Sequence, residues 1–364
     1  MYINQNKNNS YYMGLALKQA KINLGNTKDN PSVGCVIVNK NQLIGAGVTS
    51  LNGRPHGEYN AIKSVKKNLK NSIIYVTLEP CSHFGLTPPC VNLIIKKKIK
   101  KVFFSILDPD KRNLNKSKKI LNKNKILVKK GIFSNSVKKF YESYILYKKK
   151  GLPYVTYKMA VSKDFYTVNN KKKWITNVYS RSRVHLMRAN HDCIISTSKT
   201  VIKDNPRLDC RIPGLENKSP SRIILDSKLN IPINSNIVKT AKKNPTIIFY
   251  NKEKRSKISI LNKRGIKLYK VSLNKNNKLN IKEILYKIGK IGYSRVFVES
   301  GKTLAKSFLS EKLINEFNLF ISNYKFNNRG KNNIKKFFNV YFRNALKKKE
   351  KVNLFGEQLI NYKL

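Results

Sequence analysis

The chain has 364 residues, roughly two domains at the usual ~150 residues each, which excludes a single small binding module. Hydrophobic residues at 40% and aromatic ones at 10% suffice for packed cores, so the chain is not disordered despite 75 Lys+Arg against 19 Asp+Glu and a net charge of +56. No apolar run approaches the ~18 residues of a membrane helix, the polar start lacks a secretory leader, and five cysteines do not read as a disulfide framework, so a cytoplasmic protein free of membrane is expected.

In chain order, residues 13–24 carry apolar side chains at helical spacing and stop at Gly25. Residues 33–38 form a β-branched run suited to a buried strand, and residues 43–48 read as its antiparallel return after a turn at 39–42. A helix over 56–69, a strand over 73–77, a helix over 90–98 and a strand over 102–107 follow. This alternation fits a mixed α/β sandwich. A second strand-rich unit starts near Pro153, with strands at 153–158, 193–195, 222–225, 246–250, 295–298 and 319–321 and helices at 179–189, 281–288 and 303–310. Residues 148–151 read as the linker, and residues from 327 onward carry no motif.

The lysines are spread along the whole chain and mixed with Asn and Ile, as in Leu121-Asn-Lys-Asn-Lys-Ile126. All three residue types have A/T-rich codons, so compositional drift accounts for the charge without a dedicated partner. Only weak, salt-sensitive, sequence-blind contact with nucleic acid is expected.

One constellation carries chemistry directly. His56-Gly57-Glu58 sits where a loop meets a helix, Pro80-Cys81 follows a strand, and Cys90 comes after an eight-residue gap rich in Gly and Pro. One imidazole and two thiolates supply three ligands to a tetrahedral zinc ion and leave the fourth position open, the mark of a catalytic site. A water there is acidified to a pKa near ~7, and Glu58 is placed to move its proton. The chain has only four histidines, so a chance His-x-Glu upstream of Pro-Cys is improbable. The pattern follows the zinc-deaminase signature, with the cysteines farther apart than Cys-x-x-Cys.

Asn30-Pro-x-Val-Gly-Cys-Val-Ile-Val38, His56-x-Glu58 and Thr77-Leu-Glu-Pro-Cys-Ser-His-Phe-Gly-x-Thr-Pro-Pro-Cys90 resemble the deaminase half of the bifunctional riboflavin-biosynthesis deaminase/reductase family. The resemblance implies one zinc ion per chain held by His56, Cys81 and Cys90, with Glu58 as the catalytic proton shuttle. Gly57 stands where the family commonly has Ala. The fold implied is α/β: a cytidine-deaminase-like α/β/α domain over residues 1–148, then a dihydrofolate-reductase-like α/β domain over residues 149–364.

The second half has no Gly-x-Gly-x-x-Gly loop. It nonetheless resembles the family's reductase half at Pro153-Tyr-Val-x-x-Lys-x-Ala160, Trp174-Ile-Thr176, Thr200-Val-x-x-Asp-Asn-Pro206, Asp226-Ser227 and Val298-Glu-x-Gly-x-Thr-Leu304. Carried over by position, Ala160, Trp174, Thr200, Asp204, Ser227, Gly301, Lys302, Thr303, Leu304, Ala305, Lys306 and Ser307 are NADPH contacts. Gly301 allows close backbone approach, and the helix after it offers free N–H groups to a phosphate. Lys172, Arg188, Leu208, Arg211 and Glu299 are substrate contacts, the arginines matching a phosphate with their planar fork. Three departures stand out. Ser162-Lys-Asp-Phe165 replaces Ser-Leu-Asp-Gly, Lys172 takes the place of a common Ser, and Ser300-Gly301 replaces a glycine pair.

The function implied is deamination of 2,5-diamino-6-(5-phosphoribosylamino)pyrimidin-4(3H)-one, then NADPH reduction of the ribosyl group to give 5-amino-6-(5-phosphoribitylamino)uracil. The partners implied are the small phosphorylated pyrimidine and no specific nucleic acid; a homo-oligomer and use of NADH stay open. A nucleic-acid deaminase with a basic accessory domain is the enzyme alternative, opposed by the long Cys81–Cys90 gap. A decayed enzyme kept as an RNA-binding scaffold is the other, opposed by the intact ligands and Glu58.

Overall fold

The computed structural model describes residues 2–171 and 174–364, and its chain divides into two compact units, residues 1–151 and 152–364. In the first unit the order is α1 (Tyr2–Lys21), β1 (Gly34–Asn39), β2 (Gln42–Val48), α2 (Gly57–Lys63), β3 (Ile73–Leu78), α3 (Cys90–Lys96), β4 (Lys101–Ile106), α4 (Lys116–Lys123), β5 (Leu127–Lys130), α5 (Ser134–Phe140) and α6 (Glu142–Lys150). The strands form one sheet in the order β2-β1-β3-β4-β5. β1 pairs antiparallel with β2 and β3, and β3, β4 and β5 run parallel.

Successive side chains of a strand point to opposite faces, and the core follows that rule. Val36, Val38, Tyr75 and Phe103 pack with Tyr12, Met13 and Ala16 of α1. Cys35, Ile37, Ile74, Val76, Val102 and Phe104 pack with Ala61 of α2, Val91 and Ile94 of α3 and Leu121 of α4. Three layers result, α/β/α. Two glycines set the spacing: a Cβ on Gly34 would lie 1.9 Å from the Ala16 carbonyl oxygen, and one on Gly47 would lie 2.3 Å from the Ala61 nitrogen. α1 and α2 therefore press on the sheet more closely than any side chain there would allow.

The second unit contains β6 (Tyr154–Val161), β7 (Tyr166–Asn169), α7 (Val178–Ala189), β8 (Cys193–Thr197), α8 (Ser198–Asp204), β9 (Ser221–Leu225), α9 (Asn236–Lys239), β10 (Thr246–Tyr250), α10 (Arg255–Lys263), β11 (Ile266–Lys270), α11 (Ile281–Lys290), β12 (Arg295–Glu299), α12 (Lys302–Ser310), β13 (Glu316–Ile321), β14 (Gly330–Asn333), α13 (Lys335–Phe342), β15 (Leu346–Lys349) and β16 (Gln358–Lys363). Nine strands form a sheet in the order β11-β10-β9-β8-β12-β6-β13-β16-β15. The first seven are parallel, and β16 and β15 close it antiparallel. Apolar clusters lie on both faces, with α11, α12 and α13 contributing to one and α7 to α10 to the other.

Several expectations are corrected. Residues 148–150, read as part of the linker, are the last turn of α6, which ends at Gly151 with φ +66° where the first unit ends. The first helix begins at Tyr2, in an Asn/Lys-rich stretch without apolar periodicity. The helix expected over 56–69 is limited to Gly57–Lys63. The stretch after 327, which carries no motif, belongs to the core: Phe337, Phe338 and Phe342 of α13 are buried, and β16 pairs with β13 along its whole length.

Part of the charge has a structural place. Edge strands β5, β11 and β15 carry exposed lysines, at Lys129 and Lys130, Lys267 and Lys270, and Lys347, Lys348 and Lys349. Lysines on a free edge oppose pairing with another chain.

Arg222 of β9 is fully buried. Its guanidinium donates to Thr246 Oγ1, Thr240 Oγ1 and the carbonyls of Arg207, Ile237 and Asn244 at 2.7–3.2 Å. Arg222→Met would take the buried guanidinium donor from five acceptors, of which the Asn244 carbonyl keeps a second bond from the Thr246 hydroxyl. We expect the second unit to lose about 3 kcal/mol or more, seen by calorimetry as a melting transition lowered by roughly 6–12 °C. An unchanged transition would mean that water or neighbouring groups replace the arginine at no cost.

Candidate active sites

The first site is built on the ends of two helices and one strand. His56 is the residue before α2, and Glu58 lies in that helix's first turn. Asn60 anchors α2 to β2 through Nδ2–H to the Val48 carbonyl at 2.8 Å. Cys81 follows β3, and Cys90 opens α3. His56 Nδ1 lies 3.6 Å from Cys81 Sγ and 3.5 Å from Cys90 Sγ, and the three ligand atoms are within 4.8 Å of one another. The Cys90 N–H donates to Cys81 Sγ at 3.1 Å. A nitrogen and two sulfurs converging at this spacing are a donor set that suits zinc.

The electrostatics agree with that reading. Hydrogen bonds from Cys90 and His56 pull the Cys81 thiol down to about 4, so it is held as a thiolate. Glu58 is 3% exposed, and burial together with the Cys81 charge pushes its carboxyl up to about 7. A cation among the ligands would pull it back down.

In the second unit, parallel strands bring most of the remaining singled-out residues to one edge. Ala160 lies near the carboxyl end of β6, Thr200 in the first turn of α8 after β8, Ser227 just after β9, and Gly301, Lys302 and Thr303 after β12. The strands run β9-β8-β12-β6 in the sheet, and ligands of such sheets bind beyond the carboxyl ends. Gly301 faces open space, with no atom within 4 Å of a would-be Cβ, and its lack of a side chain leaves α12 without a side-chain cap. Leu304 is half-buried beside the core, Ala305 is inside it, and Lys306, Ser307 and Asp204 lie farther along their helices. Trp174 is 56% exposed, with the Arg181 guanidinium 4.9 Å from its ring centre. It borders a cavity of about 580 Å³ shared with Asn169, Tyr324, Arg329 and Glu357.

The substrate-contact set looks different in three dimensions. Arg188 and Glu299 bind each other: Nε and a terminal nitrogen donate to the two carboxylate oxygens at 2.6 and 3.1 Å, and the other terminal nitrogen donates to the Asp209 carbonyl at 2.9 Å. Burial would raise Glu299, but the Arg188 charge and hydrogen bonds, with Lys158 adding, hold its carboxyl below the usual range. Arg211 is half-exposed, donates to His185 Nε2 at 3.2 Å and lies 3.8 Å from an Asp209 carboxylate oxygen. Leu208, at φ +53°, buries its side chain in an apolar cluster with Ile194 and Ile224. Lys172 lies outside the described residues.

Residues 6–106 match the cytidine and deoxycytidylate deaminase zinc-binding region, and residues 153–325 match the RibD C-terminal domain. The riboflavin biosynthesis protein RibD of Bacillus amyloliquefaciens is 35% identical over 318 residues, 86% of this chain and 84% of that protein. The chain belongs to the RibD family. The Aquifex aeolicus RibD is likewise 35% identical, over 85% of this chain and 86% of its own. A solved Acinetobacter baumannii RibD covers 99% of both chains at 27% identity and TM-score 0.84. A Thermotoga maritima diaminohydroxyphosphoribosylaminopyrimidine deaminase/5-amino-6-(5-phosphoribosylamino)uracil reductase covers 99% of both chains at 27% identity and TM-score 0.82.

The chain is thus a bifunctional deaminase/reductase of riboflavin biosynthesis, with a zinc-binding cytidine-deaminase domain followed by a dihydrofolate-reductase-like RibD domain. Among the described residues no helix is long and apolar enough to cross a membrane.

Two departures from the RibD pattern now have physical content. A Cβ on Gly57 would lie 2.3 Å from the Val33 carbonyl oxygen, so α2 sits closer to the start of β1 than an alanine would permit. Phe165 keeps the left-handed backbone a glycine would favour, at φ +67°, and its ring packs against Phe338 at 6.1 Å. The turn survives at a cost of about 1–2 kcal/mol for the side chain, offset by burial against α13.

Sequence reasoning gave no role to Lys158, though it stands in the Pro153–Ala160 motif, or to His185. Lys158 pairs in register with Glu299 across β6 and β12, and burial pulls its ammonium down from its ordinary value. Its signal was a lone charge inside an otherwise apolar strand. His185, pulled down to about 4 by burial and by Arg188 and Arg211, is a neutral imidazole beside Arg211; nothing in its sequence neighbourhood marks it.

Proposed function

We propose that the first unit hydrolyses the ring amine of 2,5-diamino-6-(5-phosphoribosylamino)pyrimidin-4(3H)-one. The second then reduces the ribosyl group with NADPH to give 5-amino-6-(5-phosphoribitylamino)uracil. The observation that carries the reading is the His56–Cys81–Cys90 cluster with buried Glu58 beside it, on one chain with a RibD reductase domain. A zinc ion held by these three residues supplies the Lewis acidity that makes water a nucleophile near neutral pH. Glu58 takes the proton from the attacking water and returns it to the departing amine. The fixed α2 start keeps that carboxylate two residues from His56 and out of bulk solvent.

In the reductase, NADPH supplies the hydride, and the chain's task is placement. Gly301 and the free N–H groups at the start of α12 receive a cofactor phosphate, with Thr200, Ser227 and Trp174 along the same edge. Arg188 has its donors committed to Glu299 and Asp209, so its role is to hold Glu299 toward the substrate. Arg211, half-exposed and held by a 3.8 Å ion pair to Asp209 and a bond to His185, is then the arginine that reaches the substrate phosphate.

Mass spectrometry of the pyrimidine incubated with the zinc-loaded protein tests both steps. Without NADPH the mass change of amine to oxo is expected; with NADPH a further gain of two hydrogens follows. A substrate unchanged under both conditions would overturn the proposal.

A further inference from the structure

Cys81 sits between residues fastened to one segment, 108–117. Before it, Glu79 is 3% exposed. Its carboxylate accepts from the N–H groups of Asp108, Asn115 and Ser117 at 3.0–3.2 Å and from the Ser117 hydroxyl at 2.8 Å. After it, the Ser82 N–H and hydroxyl donate to Asn113 Oδ1 at 2.8 and 2.7 Å. Asn113 is fully buried. Its Nδ2 reaches the Glu79 and Pro80 carbonyls at 3.3 Å and Asp108 Oδ2 at 3.2 Å. The Ser82 N–H can only meet an acceptor, which decides the end of the amide that carries the oxygen. Tyr144 of α6 then donates to Asp108 Oδ1 at 2.9 Å. A line of hydrogen bonds, Tyr144–Asp108–Asn113–Ser82, ends one residue from a ligand sulfur.

We propose that Asn113 is a positioning residue of the deaminase metal site, holding the Pro80-Cys81-Ser82 turn in the conformation that aims Cys81 at His56 and Cys90. The inference rests on the assignment of Cys81 as a zinc ligand. Besides its contact with His56, Cys81 is bonded to the other cysteine's helix: Cys90 N–H to its sulfur at 3.1 Å and Val91 N–H to its carbonyl at 3.2 Å. Asn113 ties the same turn to the loop after β4, and so to the sheet. A buried amide with every polar direction used has one low-energy placement. Groups that orient a ligand in this way are worth about 10–100-fold in metal affinity or activity.

The test uses the full chain. With cobalt(II) in place of zinc, the unaltered protein is expected to show thiolate-to-metal charge-transfer absorption and tetrahedral visible bands. Asn113→Leu, with the same branching and number of side-chain heavy atoms but no hydrogen bonds, should shift the visible bands and release zinc to a chelator about 10–100-fold faster. Reduction of supplied deaminated substrate reports on folding of the second unit only, and the melting transition on the first. Tyr144→Phe removes only the far end of the line and should move the same readouts in the same direction by less. Asn113→Leu with unaltered bands and zinc release, whatever its melting temperature, overturns the proposal. If Asn113→Leu does not fold, Tyr144→Phe with unaltered zinc release overturns it. An unaltered protein lacking the charge-transfer band overturns the ligand assignment itself, which separates the two failures.

Discussion

Glu58→Gln is expected to keep zinc and lose deamination, by at least the ~10²–10⁴-fold typical of general acid–base groups. The substitution preserves shape and removes the ability to carry a proton between water and amine. Glu58 is buried beside the His56–Cys81–Cys90 cluster but is not one of its converging donors, so metal content should not change. Metal analysis beside a deaminase assay decides it. Loss of zinc with the mutation would make Glu58 a ligand and its assigned role wrong.

Cys81→Ser is expected to abolish both zinc retention and deamination while leaving reduction of supplied deaminated substrate largely intact. A serine oxygen keeps the position but not the thiolate that the Cys90 and His56 hydrogen bonds stabilise, and zinc has a strong preference for sulfur over a neutral hydroxyl. The residues assigned to reduction all lie in the second unit, which has its own cores on both faces of its sheet. Equal loss of the two activities would contradict this independence.

The zinc site was legible in the sequence because its chemistry is concentrated in two short motifs. His56 and Glu58 share one helix start, and Cys81 and Cys90 flank one loop. Local spacing therefore carries most of the geometry, and it remained only for α2 and α3 to meet at the end of β3. The reductase edge was legible only through resemblance. Its residues come from four strands that are distant in the chain and adjacent in the sheet, so no window of sequence contains the site. The stretch after 327 told little in the sequence because its lysines and asparagines outnumber its core residues. The three phenylalanines of α13 become informative only once β13 supplies the strand beside which β16 and α13 pack.

By itself, the sequence determined the α/β class, the donor set of the metal site and the carboxylate beside it, since each follows from residue type at short spacing. The tertiary structure decided which charges pair. Arg188 and Glu299, both expected as substrate contacts, stand 111 positions apart and form a forked ion pair, while Arg211 stays half-exposed beside His185 with Asp209 3.8 Å away. It also decided that Asn113, an unremarkable residue in the loop after β4, occupies a buried position beside the Cys81 turn with its side-chain hydrogen bonds made. The reason is the same in both cases. A side chain's charge and hydrogen-bonding capacity are written in the sequence, but the partner that consumes them is chosen by the folded chain, which brings groups together without regard to their separation along it.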